Sequence, residues 1–162
     1  MIDPLPERYS DEQLYALAKF LYSLKPPPNP NRVDAIADRG RRIFSREGCA
    51  ACHTPPLYTS NKLTPALGFS VSSEQLLQYG IINRSVGTDP ALAVRTRKGT
   101  GYYKVPSLKG VWYRGPLQHG GAAKTLEEWF DPTRLSRIPG HPFGLGLTAA
   151  DRAALLTFLR TL

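Results

Sequence analysis

The chain has 162 residues, enough for one domain with a real core plus an appendage. Nowhere do about 18 apolar residues run together, so no segment reads as a membrane span, and a formal net charge of +8 favours acidic partners. Fifteen prolines and 14 glycines, crowded into residues 26–30, 54–68 and 87–146, point to a mainly helical domain with long ordered loops and argue against a sheet protein.

The first residues carry no basic stretch followed by an apolar one. The expectation is a leader already removed, or a piece of a longer protein. Residues 10–24 then read as a helix with Ser10 as cap and Gln13 at the box position, stopped by Lys25-Pro26-Pro27-Pro28. Residues 31–47 read as a second helix, with Val33, Ile36, Ala37, Gly40 and Phe44 near one face.

The two cysteines stand at 49 and 52. A disulfide across two intervening residues closes so short a loop that it contributes little, so the pair points to chemistry. In Cys49-Ala50-Ala51-Cys52-His53 the two thiols share one turn and can add to the two vinyl groups of one porphyrin, while His53 swings under the ring to the iron. That is the signature of covalent haem c attachment, with Cys49, Cys52 and His53 binding the cofactor. The second ring nitrogen of His53 is expected to donate to a carbonyl near Pro55 or Pro56. A thioredoxin-type pair would need a preceding strand and a βαβ pattern, which are not visible. A structural zinc site would need a second ligand pair, and His119 and His141 lie 22 residues apart.

Between Arg95 and Arg114 there are six basic residues and no acidic ones, interleaved with Tyr102, Tyr103, Trp112 and Tyr113. Alone this could read as a platform for single-stranded nucleic acid. With a haem present, some of these groups are better assigned to the propionates and the rest to solvent or a protein partner, and no nucleic acid is expected.

Methionine is the usual sixth ligand of electron-transfer haems, and the sole methionine is Met1, separated from the core by a helix and a proline linker. His141, in Ile138-Pro139-Gly140-His141-Pro142-Phe143-Gly144, stands seven residues before the last helix and is the favoured distal ligand. Prolines near it on both sides limit its backbone freedom. His119, 29 residues before that helix, is the alternative, and an open or tyrosine-ligated iron is the third.

Residues 148–162 form the last predicted helix, with Thr148 as cap, Asp151 at the box position and Leu155, Leu156, Phe158, Leu159 and Leu162 as its apolar face. Gly40 inside a helix is costly unless another backbone approaches closely. A crossing of the two helices there, with Phe44 against Phe158 or Leu159, accounts for it. This arrangement is similar to the class I cytochrome c fold, so the expected class is mainly α, with long Pro/Gly-rich loops and an extra N-terminal helix. The chain divides into that helix (1–25), a proline-rich linker (26–33) and the haem domain (34–162). At an offset of 138, Ala16, Leu17, Phe20, Leu21 and Leu24 match Ala154, Leu155, Phe158, Leu159 and Leu162. Helical periodicity alone produces such matches; the sharper reading makes the first helix the end of an upstream haem domain.

Three stretches carry a further resemblance: Lys104-Val105-Pro106-Ser107-Leu108-Lys109-Gly110, Gly115-Pro116-Leu117-Gln118-His119-Gly120-Gly121-Ala122-Ala123, and Thr125-Leu126-Glu127-Glu128. With the attachment site and last helix, residues 34–162 resemble the C-terminal haem domain of bacterial dihaem cytochrome c peroxidases and their methylamine-utilisation relatives. The resemblance implies a domain whose haem passes electrons, in a protein where a second haem reacts with peroxide. This chain departs from the pattern at Lys124, an insertion, and in lacking an evident distal methionine or tyrosine downstream. Two functions stand: electron transfer with a redox protein or neighbouring haem domain as partner, which is favoured, or a peroxidase-like oxidoreductase with His119 as base. Because covalent haem attachment occurs outside the cytoplasm, a periplasmic location is expected.

Overall fold

The computed structural model describes residues 8–95 and 99–162. Helix α1 (Asp11–Ser23) is followed by an extended linker, and α2 (Ala35–Arg46) by a tight turn over Cys49–Ala51. The middle of the chain is loop, interrupted by β1 (Leu63–Pro65), α3 (Ser73–Gln78), α4 (Ala91–Val94) and β2 (Tyr102–Lys104). Short α5 (Leu126–Trp129), a 3-10 turn over Pro132–Ser136 and the long α6 (Ala149–Arg160) close the chain. The strands make one antiparallel ribbon, with Leu63 opposite Lys104 and Pro65 opposite Tyr102.

The core lies where α2 crosses α6. Helix α2 begins later than its periodicity suggests: Asp34 is the cap, its carboxylate accepting from Ala37 N at 2.8 Å. Val33 therefore precedes the helix, and both it and Ile36 are exposed, while Ala37, Gly40, Ile43 and Phe44 face inward. A four-residue spacing is what keeps Gly40 and Phe44 on one face. At Gly40 the helices come so close that a Cβ would overlap the Ala154 carbonyl and sit 2.7 Å from the Phe158 Cβ. The Phe44 and Phe158 rings then meet edge to face at 5.5 Å, and Tyr58 packs on both. Leu155, Leu156 and Leu159 complete the buried face of α6. Each such side chain contributes up to about 2–3 kcal/mol by leaving water.

Thr148 caps α6 by accepting from Asp151 N. The Asp151 carboxylate does not close a capping box; it takes Arg46 at 3.0 Å and Arg39 at 2.5 Å, tying α2 to the start of α6. These two guanidiniums, Arg46 first, hold the Asp151 carboxyl below the usual carboxylate range.

Helix α1 has a full capping box between Ser10 and Gln13 but buries no residue. Tyr15, Phe20 and Tyr22 are 66%, 58% and 91% exposed. With no residue of α1 buried, removal of the first 25 residues is expected to leave the melting temperature of the chain within about 2 °C. A larger fall in a thermal melt would mean that the helix packs on the domain in solution.

Candidate haem site

Gly48 ends α2 in the left-handed region (φ +74°), which glycine adopts without penalty, and turns the chain into Cys49–Ala51. Backbone bonds from Cys52 N and His53 N to the Cys49 carbonyl, at 3.3 and 2.8 Å, wind Cys49, Cys52 and His53 into one turn. Both cysteines are free and half-buried, and Cys49 lies against the aromatic core. Burial pushes its thiol up to about 11, so with nothing bound it is protonated at neutral pH.

The His53 ring is fixed by two carbonyls. Its Nδ1 lies 3.2 Å from Tyr58 O and 3.2 Å from Pro106 O. Tyr58 O is the expected carbonyl near Pro56, and Pro106 O is a second that the sequence does not announce, reached because residues 54–60 curl back against the 105–108 segment. Thr59 Oγ1 donates to Val105 O, and Ser107 Oγ donates to Leu57 O. With two acceptors facing it, Nδ1 carries the proton and Nε2 keeps its lone pair for a metal. Burial lowers the His53 pKa, outweighing the two carbonyls, which act the other way.

Across from His53 stands His141, the ring centres 6.4 Å apart and the planes 59° to each other. A metal–imidazole bond of about 2.0 Å plus about 1.1 Å from nitrogen to ring centre, taken twice, spans about 6.2 Å. The observed 6.4 Å is close to that span. The His141 ring lies between Trp129 and Phe143, with centres 5.4 and 5.2 Å away. Among the described residues the ring makes no hydrogen bond, and its Nδ1 is buried without a partner. Burial lowers its pKa to about 4, so the ring is neutral at pH 7 and its lone pair is available. Two thiols on one turn, a histidine held with Nε2 free and an unpartnered imidazole at ligand spacing fit a covalently held haem.

His119 lies elsewhere. It is exposed and stacks on Tyr103 at 4.0 Å, and the Tyr103 hydroxyl donates to Asp89 O. No ring contact joins His119 to His53 or His141 among the described residues. Met1 lies outside the described residues, as do Arg97 and Lys98 of the basic stretch. Of the rest of that stretch, Arg114 donates to Ser107 O at 2.7 Å, and Lys109 sits 5.5 Å from the centre of the Tyr58 ring.

Two residues of the site were not singled out from sequence: Trp129, against His141, and the wholly buried Arg134, which donates to the His141 carbonyl at 2.8 Å. The sequence carries only a weak sign of Arg134, a capped turn begun by Asp131-Pro132.

Residues 37–162 match the protein family described as Cytochrome c. Cytochrome-c peroxidase IdrP1 of Denitromonas iodatirespirans is 31% identical over an alignment that covers 80% of this chain and 41% of that protein. The chain spans about two fifths of the length of this relative.

Proposed function

The chain belongs to the cytochrome c family, and from that premise we propose that it holds one haem c through Cys49 and Cys52, with His53 and His141 as its two axial ligands. In this reading it serves as an electron-transfer domain. The observation that carries it is the 6.4 Å between the His53 and His141 ring centres. A bound haem c supplies a ferric/ferrous couple, and every other part of the task falls to the chain. Cys49 and Cys52 fix the porphyrin in place. The Tyr58 and Pro106 carbonyls keep the proton on His53 Nδ1 and so aim Nε2 inward. Phe44, Tyr58 and Phe158 form an apolar wall beside the attachment turn and exclude water from it. Two neutral imidazoles leave no coordination position open, which suits outer-sphere electron transfer and disfavours direct reaction with a substrate.

The partner proposed is a second haem domain or an acidic redox protein, given the basic surface, with no nucleic acid involved. The match of α1 to α6 and the unburied apolar side of α1 support a place beside another haem domain of a multihaem protein. No helix among the described residues is long and apolar enough to cross a membrane. A periplasmic site is proposed because haem c is attached outside the cytoplasm.

A second reading draws on the relative's name, a cytochrome-c peroxidase, and needs an open iron with a base nearby. His119, the candidate base, stacks on Tyr103 away from the two facing histidines. Optical spectra of the purified ferric and ferrous chain separate the two. The proposed function predicts haem that survives denaturing electrophoresis and a low-spin ferric spectrum that cyanide and peroxide leave unchanged over minutes. A high-spin spectrum with rapid cyanide binding would overturn it in favour of the peroxidase reading, and absence of covalent haem after maturation would overturn both.

A further inference from the structure

We propose that Arg134 is the positioning residue of the distal side, holding the backbone of His141 so that its ring stands opposite His53. This rests on reading His141 as the distal ligand. The turn Pro132–Ser136 places its residues against the usual rule: Leu135 is 41% exposed while Arg134 is wholly buried. Inside, the guanidinium meets no carboxylate among the described residues. It meets carbonyls instead: Nε donates to Trp129 O at 2.5 Å, Nη1 to Ile138 O at 2.8 Å and Gly140 O at 2.9 Å, and Nη2 to His141 O at 2.8 Å. The charged carbon lies 4.0 Å from the centre of the Trp129 ring, the same ring that packs on His141.

A buried cation is expensive unless its donors are used. Here four bonds use most of the five N–H groups, and three of the four acceptors fall within residues 138–141.

The backbone so gripped needs a grip. Gly140 and His141 both have positive φ, +82° and +48°, and histidine adopts that region at a cost. Gly140 presses on the 87–88 backbone, where a Cβ would come 2.6 Å from Gly87 O. His141 N donates to Val86 O at 2.5 Å. The His141 residue is therefore pinned at both ends, its N–H by the 86–88 loop and its carbonyl by Arg134. A planar fork reaches several carbonyls at fixed angles, which an ammonium cannot do.

The test compares haem-loaded Arg134→Met and Arg134→Lys with the parent chain, reading ferric spin state and cyanide-binding rate well below each melting temperature. Arg134→Met is expected to lose low-spin character and bind cyanide at least about tenfold faster, as the open fraction of the iron rises. Free imidazole should restore its low-spin spectrum, and Arg134→Lys should fall between Met and parent. A purely structural role would lower the melting temperature and leave the cyanide rate at the parent value, which overturns the proposal. Should Arg134→Met fail to fold, Arg134→Lys decides alone: a faster rate supports the proposal and a parental rate overturns it. If His141→Ala leaves the parent spectrum unchanged, the distal-ligand reading itself has failed. The brace is then judged by amide hydrogen exchange over residues 138–142. Faster exchange in Arg134→Lys would support it, and unchanged exchange would overturn it.

Discussion

Ferric protein carrying His141→Ala is expected to be high-spin and to bind cyanide about a hundredfold faster than the parent. The magnitude follows from competition: if the intact chain keeps its distal position filled all but about 1% of the time, removing the ring raises the open fraction about a hundredfold. The covalent haem should remain, because Cys49, Cys52 and His53 are untouched. The backbone should tolerate the change, since alanine brings no atom that histidine lacks at a φ of +48°. The space vacated between Trp129 and Phe143 is imidazole-shaped, so free imidazole should restore the low-spin spectrum. An unaltered low-spin spectrum would place the sixth ligand elsewhere.

The same burial sets the acid behaviour of the chain without haem. Above about pH 6.5 His141 is neutral both folded and unfolded, and its ionisation does not affect stability. As pH falls from there toward 4, the unfolded chain takes a proton that the buried ring, with its pKa lowered to about 4, refuses. The His141 ring therefore lowers stability on the acid side and has no effect on the alkaline one.

The second large effect is expected at Gly40. Alanine is the better helix former by about 1 kcal/mol, and on propensity alone Gly40→Ala would stabilise α2. The added Cβ, however, would overlap the Ala154 carbonyl, which is backbone and cannot rotate aside. The helices must part, loosening the Phe44–Phe158 contact and the core around Leu155 and Leu159. Overpacking of this kind costs about 3 kcal/mol, which outweighs the propensity gain by about 2 kcal/mol and lowers the melting temperature by roughly 4–8 °C. Thermal denaturation checks it, with Arg42→Ala, exposed on the same helix, as a control expected to change little. A Gly40→Ala chain as stable as the parent would mean that the helices cross less tightly in solution.

Some of this was legible in the chain and some was not, for definite reasons. The attachment turn, the glycine at the crossing, the Thr148 cap and the cytochrome c fold class all rest on short-range chemistry that spacing expresses directly. Apolar periodicity runs through Val33 and so puts the start of α2 too early, whereas the Asp34 carboxylate, reaching Ala37 N, decides where the helix begins. Of the partners of His53, Tyr58 O lies near Pro56 as the sequence suggests, whereas Pro106 O comes from 53 residues away, and no local pattern announces a contact across that distance. Arg134 escaped notice because an arginine in a turn beside prolines reads as solvated. Its burial depends on four carbonyls that only the closed loop gathers together.

Asn29 Nδ2 donates to the Arg160 carbonyl at 2.9 Å, so the stretch entering the domain passes directly over its last helix. Entrance and exit are neighbours in space although 131 positions separate the two residues in sequence. A module built this way can be copied in tandem or inserted into a host loop without bridging its own diameter, and it should tolerate circular permutation with a short joining segment. The geometry that closes this one domain is also the geometry that makes it easy to string several along a single polypeptide.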